Sequence, residues 1–278
     1  MDVMHAVRVA APHIDGVWPA PLWTLYNRAA EAARPDGVLN DKQAVELFRA
    51  LAYPARELFG EPQQAHALRA ACFDQAMRRV IGEHPGGTIV SLGDGFDTGL
   101  WRIDDGKVRW LSVDLPEVVA LRDKYLPPHP RLRNLARSAL DLSWMDEVDT
   151  DGHVLVSTQG LLMHFEPDDA LGLIEACSRR FPGGHMIFDH VPAWFSKKTQ
   201  REAGRPGNFQ DALPFSLSIA DAARLPECFP QIASSTRLEQ PVGRPSPKER
   251  AMSAALRLPM LRNLRFSVTL LEFRHQQS

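Results

Sequence analysis

The sequence predicts an α/β fold with a mostly parallel, twisted sheet, and three observations carry that expectation. Short apolar runs alternate with helical patterns from about residue 85 to residue 190, the rhythm of successive βαβ units. The first run opens into a glycine loop, Gly93-Asp94-Gly95-Phe96-Asp97, and such loops mark the ligand edge at the carboxyl ends of parallel strands. The second run ends on an acid, Asp114, about 21 residues past the first glycine, where an acid can reach ribose hydroxyls.

Each element has its own signal. Residues 1–20 read as an irregular arm, with Pro12, Gly16 and Pro19. Residues 22–33 are Ala- and Leu-rich, and Asn40-Asp41 can cap a helix running through Ala44, Val45, Leu47, Phe48 and Leu51. Leu68, Cys72, Phe73, Met77, Val80 and Ile81 place a helix over about 63–82, stopped by His84-Pro85-Gly86-Gly87. Strands follow at 88–92 and 108–113, then a helix with Pro116 at an early, tolerated position, and a weaker strand near 132–137. A fourth strand at 153–157, a helix over 166–181 and a fifth strand at 185–189 close the regular part. Beyond Asp189 the rhythm breaks. Residues 192–217 read as an exposed insertion, then a helix at 218–225, a strand at 231–239, a helix near 247–258 and a final strand at 265–273. The expected division is an arm and helical cap at 1–84 and the main domain at 85–278, with lid elements in 192–260.

Bulk properties exclude several partners. The chain has 278 residues, 44% of them hydrophobic, and a formal charge of −2. That balance gives no basic patch for nucleic acid and no Lys/Arg run for an anionic membrane. No apolar run reaches the roughly 18 residues of a membrane span, and Met1-Asp2-Val3-Met4-His5 lacks a secretory signal. Cys72, Cys177 and Cys228 are far apart, which fits a reducing compartment rather than a disulfide framework, and Cys72 and Cys177, in helical patterns, read as small core residues. A cytoplasmic protein is the expectation. No His/Cys/Asp cluster has metal-ligand spacing, so no metal is expected.

The glycine loop alone says only that a nucleotide-like ligand binds. A dinucleotide fingerprint needs a third glycine where this chain has Thr98. Asp97 would also set an anion where a pyrophosphate meets the helix N-terminus. S-adenosylmethionine has no phosphate and carries a sulfonium and an ammonium, so these residues favour it over NAD(P). Asp97 or Thr98 can equally cap the next helix, and Asp114 can be a turn residue before Pro116.

Thr88-Ile89-Val90-Ser91-Leu92-Gly93-Asp94-Gly95-Phe96-Asp97-Thr98, Trp101-Arg102-Ile103 and Val113-Asp114-Leu115-Pro116-Glu117-Val118 together resemble the leucine carboxyl methyltransferase family. The nearer branch is that of bacterial natural-product O-methyltransferases of the tetracenomycin and polyketide type. The resemblance implies a class I methyltransferase, Rossmann-like, with a seven-stranded mostly parallel sheet, an N-terminal helical cap and an inserted lid after strand five. It implies S-adenosylmethionine as cofactor and a small-molecule methyl acceptor. Gly93, Gly95, Asp97, Asp114 and Leu115 would line the cofactor. Leu68-Arg69-Ala70 is similar to the helix whose arginine meets the cofactor carboxylate, making Arg69 that candidate. Asp141-Leu142 resembles the pair near the adenine, and Gln159-Gly160-Leu161-Leu162-Met163-His164-Phe165 the motif after strand four. This chain departs from the family with Asp94 for a small residue, Gly99 for a frequent Arg, and Gln159 and His164 for the common Glu and Tyr. Glu to Gln removes a charge that would hold the cofactor ammonium.

His164 and His190 are the candidate bases, lying just past strands four and five. A phenol or alcohol acceptor would use one; a carboxylate acceptor needs none. His164 can also simply fill the space of the family's Tyr, and His190 can be structural. His5, His13, His129 and His275 read as isolated surface residues, and Asp104-Asp105-Gly106 as a turn. Lys197, Lys198, Arg201 and Arg205 form either a solvated face or a lid over an anionic acceptor, while Trp194, Phe195, Phe209 and Phe215 either wall an acceptor pocket or pack the lid. The leading expectation is an O-methyltransferase acting on a carboxylate or hydroxyl of a small molecule. The alternatives are a protein C-terminal carboxyl methyltransferase and a catalytically weakened regulatory protein that binds S-adenosylmethionine.

Overall fold

Five strands run parallel: β1 (Thr88–Leu92), β2 (Arg109–Asp114), β3 (Leu132–Ala136), β4 (Val154–Thr158) and β5 (His185–His190). With β6 (Ile232–Leu238) and β7 (Ser267–Phe273) the order is β3-β2-β1-β4-β5-β7-β6, β7 being antiparallel to both its neighbours. This architecture is that of a computed structural model, which describes residues 19–203, 212–245, 247, 250 and 258–275. The seven-stranded, mostly parallel sheet is the expected one.

Burial explains which strands the sequence announces. Every residue of β1 and β4 is buried, so both read as continuous runs of apolar and small residues, as strands covered on both faces must. β3 is an edge strand whose residues are all partly or fully exposed, Arg133 and Asn134 among them, and its pattern is correspondingly weak.

The side-chain alternation of the strands splits the core into two layers. Val90, Leu92, Val113, Met186, Phe188 and Phe273 pack with Trp144 and with Leu173, Ile174 and Cys177 of α7 (Pro167–Arg180). Ile89, Trp110, Leu155, Ile187, Val268 and Leu270 face the other way, against Cys72, Phe73, Met77 and Val80 of α4 (Ala65–Glu83). Each fully buried side chain of this size contributes about 1.5–3 kcal/mol. α4, on the N-terminal side of residue 84, covers the sheet itself and shares its core.

The remaining N-terminal helices form a third cluster beside the glycine loop. Leu22, Leu25 and Tyr26 of α1 (Pro19–Ala32), Ala44 and Leu47 of α2 (Lys42–Leu51) and Ala55 of α3 (Ala55–Phe59) pack on Phe96 and on Val118 and Leu121 of α6 (Pro116–Tyr125). Asp41 starts α2 by accepting from Ala44 N at 2.9 Å. The short α5 (Gly99–Ile103) leaves the loop directly.

The segment after β5 differs from its expectation. Residues 193–202 form a helix, α8 (Ala193–Glu202), and Leu213, Phe215 and Leu217 are buried, so 192–217 is not simply an exposed insertion. The helix expected at 218–225 is two short ones, α9 (Ile219–Ala223), capped by Ser218, and α10 (Leu225–Cys228). The arm at 1–18, Arg205, Phe209 and most of the helix expected at 247–258 lie outside the described residues. No helix among the described residues is long and apolar enough to cross a membrane.

Candidate active site

The chain runs from β1 outward to β3, then crosses back to β4 and on to β5, so the strand order reverses between β1 and β4. The carboxyl ends of those two strands are where an open parallel sheet leaves a crevice. The expected site residues from the glycine loop, Asp114 and Gln159 all stand at this edge.

The glycine loop has a conformation that needs its glycines. Gly93 and Gly95 have φ of +62° and +51°, in the left-handed region that side chains disfavour. A Cβ on Gly93 would also lie 2.7 Å from Leu161 Cδ1. Gly93 N donates to Val113 O of β2 at 2.9 Å. Asp114 completes the turn: Oδ2 accepts from Gly95 N and Oδ1 from Leu115 N, both at 2.7 Å. A carboxylate has about four acceptor sites, so both oxygens retain capacity for ribose hydroxyls. Burial pushes the Asp114 carboxyl up, against the two backbone N–H donors that pull it down.

Buried arginines hold the loop, Arg28 and Arg122 unannounced by the sequence and Arg102 quoted there only as part of a motif. Arg122 of α6 is 1% exposed and donates to Gly95 O at 2.8 Å and Asp97 O at 3.0 Å, with Nη2 2.9 Å from Asp94 Oδ2. Asp94 also accepts from Ser91 Oγ at 2.7 Å, which accounts for an acid where the family has a small residue. Gly99 is explained as well: a Cβ there would sit 2.8 Å from the Trp110 ring.

Asp97 is not the bare anion its position suggested. Its Oδ1 accepts from Arg28 Nη1 at 2.6 Å, Arg102 Nη1 at 2.8 Å and Thr98 N at 2.7 Å. Burial alone would raise this carboxyl, but the Arg102 and Arg28 guanidiniums outweigh it and hold the group well below the usual range. Arg28 also donates to Phe96 O at 2.7 Å, and Arg102 pairs with Asp41 and Asp74 at 2.8 and 2.7 Å. The charge of Asp97 therefore ties the loop to α1, α2 and α4.

A second polar group gathers at the ends of β4 and β5. Arg69 Nη1 lies 2.8 Å from Asp189 Oδ2, and Asp189 Oδ1 accepts from Gly160 N at 2.6 Å. Gly160 has φ of +73° and lies flat against the guanidinium, where a Cβ would be 3.1 Å from Arg69 Nη1. Arg69 Nε and Gln159 Oε1 are buried with no hydrogen-bond partner. Arg69 Nε is thus an unmet donor and Gln159 Oε1 an unmet acceptor, on two segments that meet where Gly160 lies against the guanidinium; such groups suit a carboxylate and an ammonium, the amino-acid end of S-adenosylmethionine. Leu115 and Leu142, which follow β2 and β3, are 44% and 43% exposed despite their apolar character. Asp141 is exposed beside Leu142 and caps the 3-10 turn Leu142–Glu147 through Ser143.

The two histidine candidates separate. His164 ends the 3-10 turn Leu162–His164 just after β4 and is exposed. His190 is 1% exposed, with Nδ1 2.6 Å from Leu217 O and Nε2 3.1 Å from Thr269 Oγ1. Both its ring nitrogens are engaged in the core. Of the histidines read as isolated, His129 lies 3.3 Å from Asp104. His5 and His13 fall outside the described residues. No group of three or more His, Cys, Asp or Glu among the described residues is placed to hold a metal ion. A cavity of about 190 Å³ lined by Glu31, Gln64 and Arg244 lies in the helical cap, away from the strand ends.

Residues 22–178 match the family of leucine carboxyl methyltransferases. The tetracenomycin polyketide synthesis O-methyltransferase TcmP of Streptomyces glaucescens is 29% identical over 67% of this chain and 72% of its own. The S-adenosyl-L-methionine-dependent methyltransferase dpfgK of Gibberella zeae is 28% identical over 63% of this chain and 66% of its own. In fold, the chain is similar to the CurJ carbon methyltransferase, with a TM-score of 0.50 and 10% identity over 91% of this chain and 69% of that one. The chain belongs to the leucine carboxyl methyltransferase family and is an S-adenosylmethionine-dependent methyltransferase.

Proposed function

We propose that the chain methylates an oxygen, carboxylate or hydroxyl, of a small polyketide-like molecule. The observation that carries the acceptor class is an aromatic group on the same sheet edge as the glycine loop. Trp194 and Phe195 follow β5 and Phe266 precedes β7, with Phe195 and Phe266 ring centroids 4.8 Å apart. Trp194 and Phe266 remain 46% and 49% exposed, an apolar wall of the kind small-molecule pockets use. Phe215 is buried in the core and takes no part in this wall. The relative named as a polyketide O-methyltransferase supports the same acceptor.

The cofactor supplies a methyl on a sulfonium, already activated for in-line displacement, so the protein's task is mainly alignment. In this reading Asp114 holds the ribose, Leu115 and Leu142 cover the adenine beside Asp141, Arg69 takes the carboxylate and Gln159 the ammonium. Gly93 and Gly95 let the backbone approach. His164 receives the proton of a hydroxyl acceptor; with a carboxylate acceptor it has no proton to take.

The test is a panel of phenols, small carboxylic acids and a peptide with a free C-terminal carboxylate, assayed for methyl transfer alongside binding of S-adenosylhomocysteine. His164→Gln is expected to lower kcat on a phenol by about 10²-fold and to leave a carboxylic acid acceptor almost unaffected. Methylation of the peptide alone would overturn the small-molecule reading. Gln159, neutral where the family has an acid, favours one second reading, a binding protein with little turnover. Tight product binding without transfer to any acceptor would select it.

A further inference from the structure

We infer that Asp189 is the positioning residue for the amino-acid end of the cofactor, acting through Arg69 and the Gly160 turn. The inference rests on reading Arg69 as the partner of the cofactor carboxylate, and goes beyond it by assigning a role to β5.

A long arginine side chain loses rotamer freedom on engaging a ligand, and holding it beforehand lowers that cost. Asp189 does the holding here. Its Oδ2 fixes Arg69 Nη1 at 2.8 Å, while Oδ1 takes Gly160 N at 2.6 Å. One carboxylate thus sets both the guanidinium and the turn that carries Gln159. The side chains of Arg69 and Asp189 are only 17% and 9% exposed, so the pair is screened little by solvent. The absence of a Cβ at Gly160 lets the guanidinium lie against the turn, with Nη1 and Nη2 3.1 and 3.2 Å from where that carbon would be. The result is that Arg69 Nε and Gln159 Oε1, both buried and unbonded, are fixed relative to each other. Arg69 brings the donor for a carboxylate and Gln159 the acceptor for an ammonium. The net charge of Arg69 with Asp189 is zero, matching a zwitterionic amino-acid end that is itself neutral.

The experiment compares two probes by calorimetry on the full chain. S-adenosylhomocysteine carries the amino-acid end; 5′-methylthioadenosine has the same nucleoside and thioether without it. The ratio of their dissociation constants reads the amino-acid end alone, and the second probe reports that the glycine loop is folded. Asp189→Asn keeps the shape and removes the charge. It is expected to weaken S-adenosylhomocysteine about tenfold, the scale of one charge-assisted hydrogen bond, with 5′-methylthioadenosine nearly unchanged. Arg69→Met should collapse the ratio. The double variant, which leaves no unpaired buried charge and so guards against misfolding, should match Arg69→Met. Equal weakening of both probes by Asp189→Asn, or no change in either, would overturn the assignment. So would a double variant markedly worse than Arg69→Met, which would mean that Asp189 acts on the ligand directly. An unchanged ratio in Arg69→Met would instead sink the reading of Arg69, and is told apart by appearing in that single variant.

Discussion

At the scale of single residues, the site separates groups that face the ligand edge from groups that hold those in place. Asp114 and the loop glycines were legible in the sequence because their meaning is local: a strand, two glycines and an acid at the end of the next strand. Arg28, Arg122 and Asp189 were not, because each acts on a partner far along the chain. Arg28 lies 69 residues from Asp97, and Asp189 lies 120 from Arg69. No spacing rule announces such pairs. Arg122 is the most exacting of them, since it meets two loop carbonyls and a carboxylate in a space from which water is excluded. Arg122→Met would leave Asp94 buried and unpaired, and is expected to cost about 3–5 kcal/mol. Urea unfolding measures this, and adding Asp94→Asn should recover part of the loss by removing the stranded charge. A loss below about 1 kcal/mol, typical of an exposed ion pair, would show that the pair does not carry the loop.

At the scale of elements, the sequence pattern located those with a one-sided or fully buried face. β1, β4 and α4 were found because burial imposes apolar residues at fixed periods. α8 escaped because its sequence, Ala-Trp-Phe-Ser-Lys-Lys-Thr-Gln-Arg-Glu, buries polar residues instead, Ser196 and Thr199. Ser196 Oγ donates to Leu213 O at 2.6 Å, and Thr199 Oγ1 accepts from Leu213 N at 3.2 Å. Hydroxyls that bond a neighbouring backbone give no hydrophobic period to read. The end of α2 carries a local strain that the sequence also conceals. Ala52 terminates the helix with φ of +47°, its N–H returning to Arg49 O. A non-glycine residue in this conformation costs about 1–2 kcal/mol, and helices commonly place glycine there. Ala52→Gly is therefore expected to raise stability, by up to about 1 kcal/mol once the entropy of the unfolded chain is counted. Denaturant midpoints of the two proteins check it, and a destabilised variant would show that the Ala52 methyl is worth more than the strain.

At the scale of the whole molecule, the cap helices and the glycine loop share one charge network and one apolar cluster, so folding of the cap and shaping of the site are coupled. Two histidines, one at the opposite edge of the sheet and one in the cap, are where pH acts. His153 precedes β4 and His185 opens β5, with His153 Nε2 2.8 Å from His185 Nδ1. His84 stacks on His153 at 3.7 Å between ring centroids. Burial first, then the neighbouring His84, His185 and His275, push His153 down to about 4. His66, half-buried at the start of α4 and 2.9 Å from Asn27 Nδ2, is pushed down to about 3, by desolvation first and then by Arg69 and Arg28. In the unfolded chain both titrate near 6.5. Below that pH the unfolded state binds protons that the folded state refuses, so stability is complete above about 6.5 and falls as the pH is lowered toward 4. Each histidine contributes a slope of up to about 1.4 kcal/mol per pH unit in that window. Urea midpoints are thus expected to drop between about pH 7 and pH 5, and His153→Gln and His66→Gln should each flatten the curve. A wild-type midpoint constant over that range would refute the assignment, because carboxylates with lowered values, such as Asp97, do not titrate until far more acid conditions.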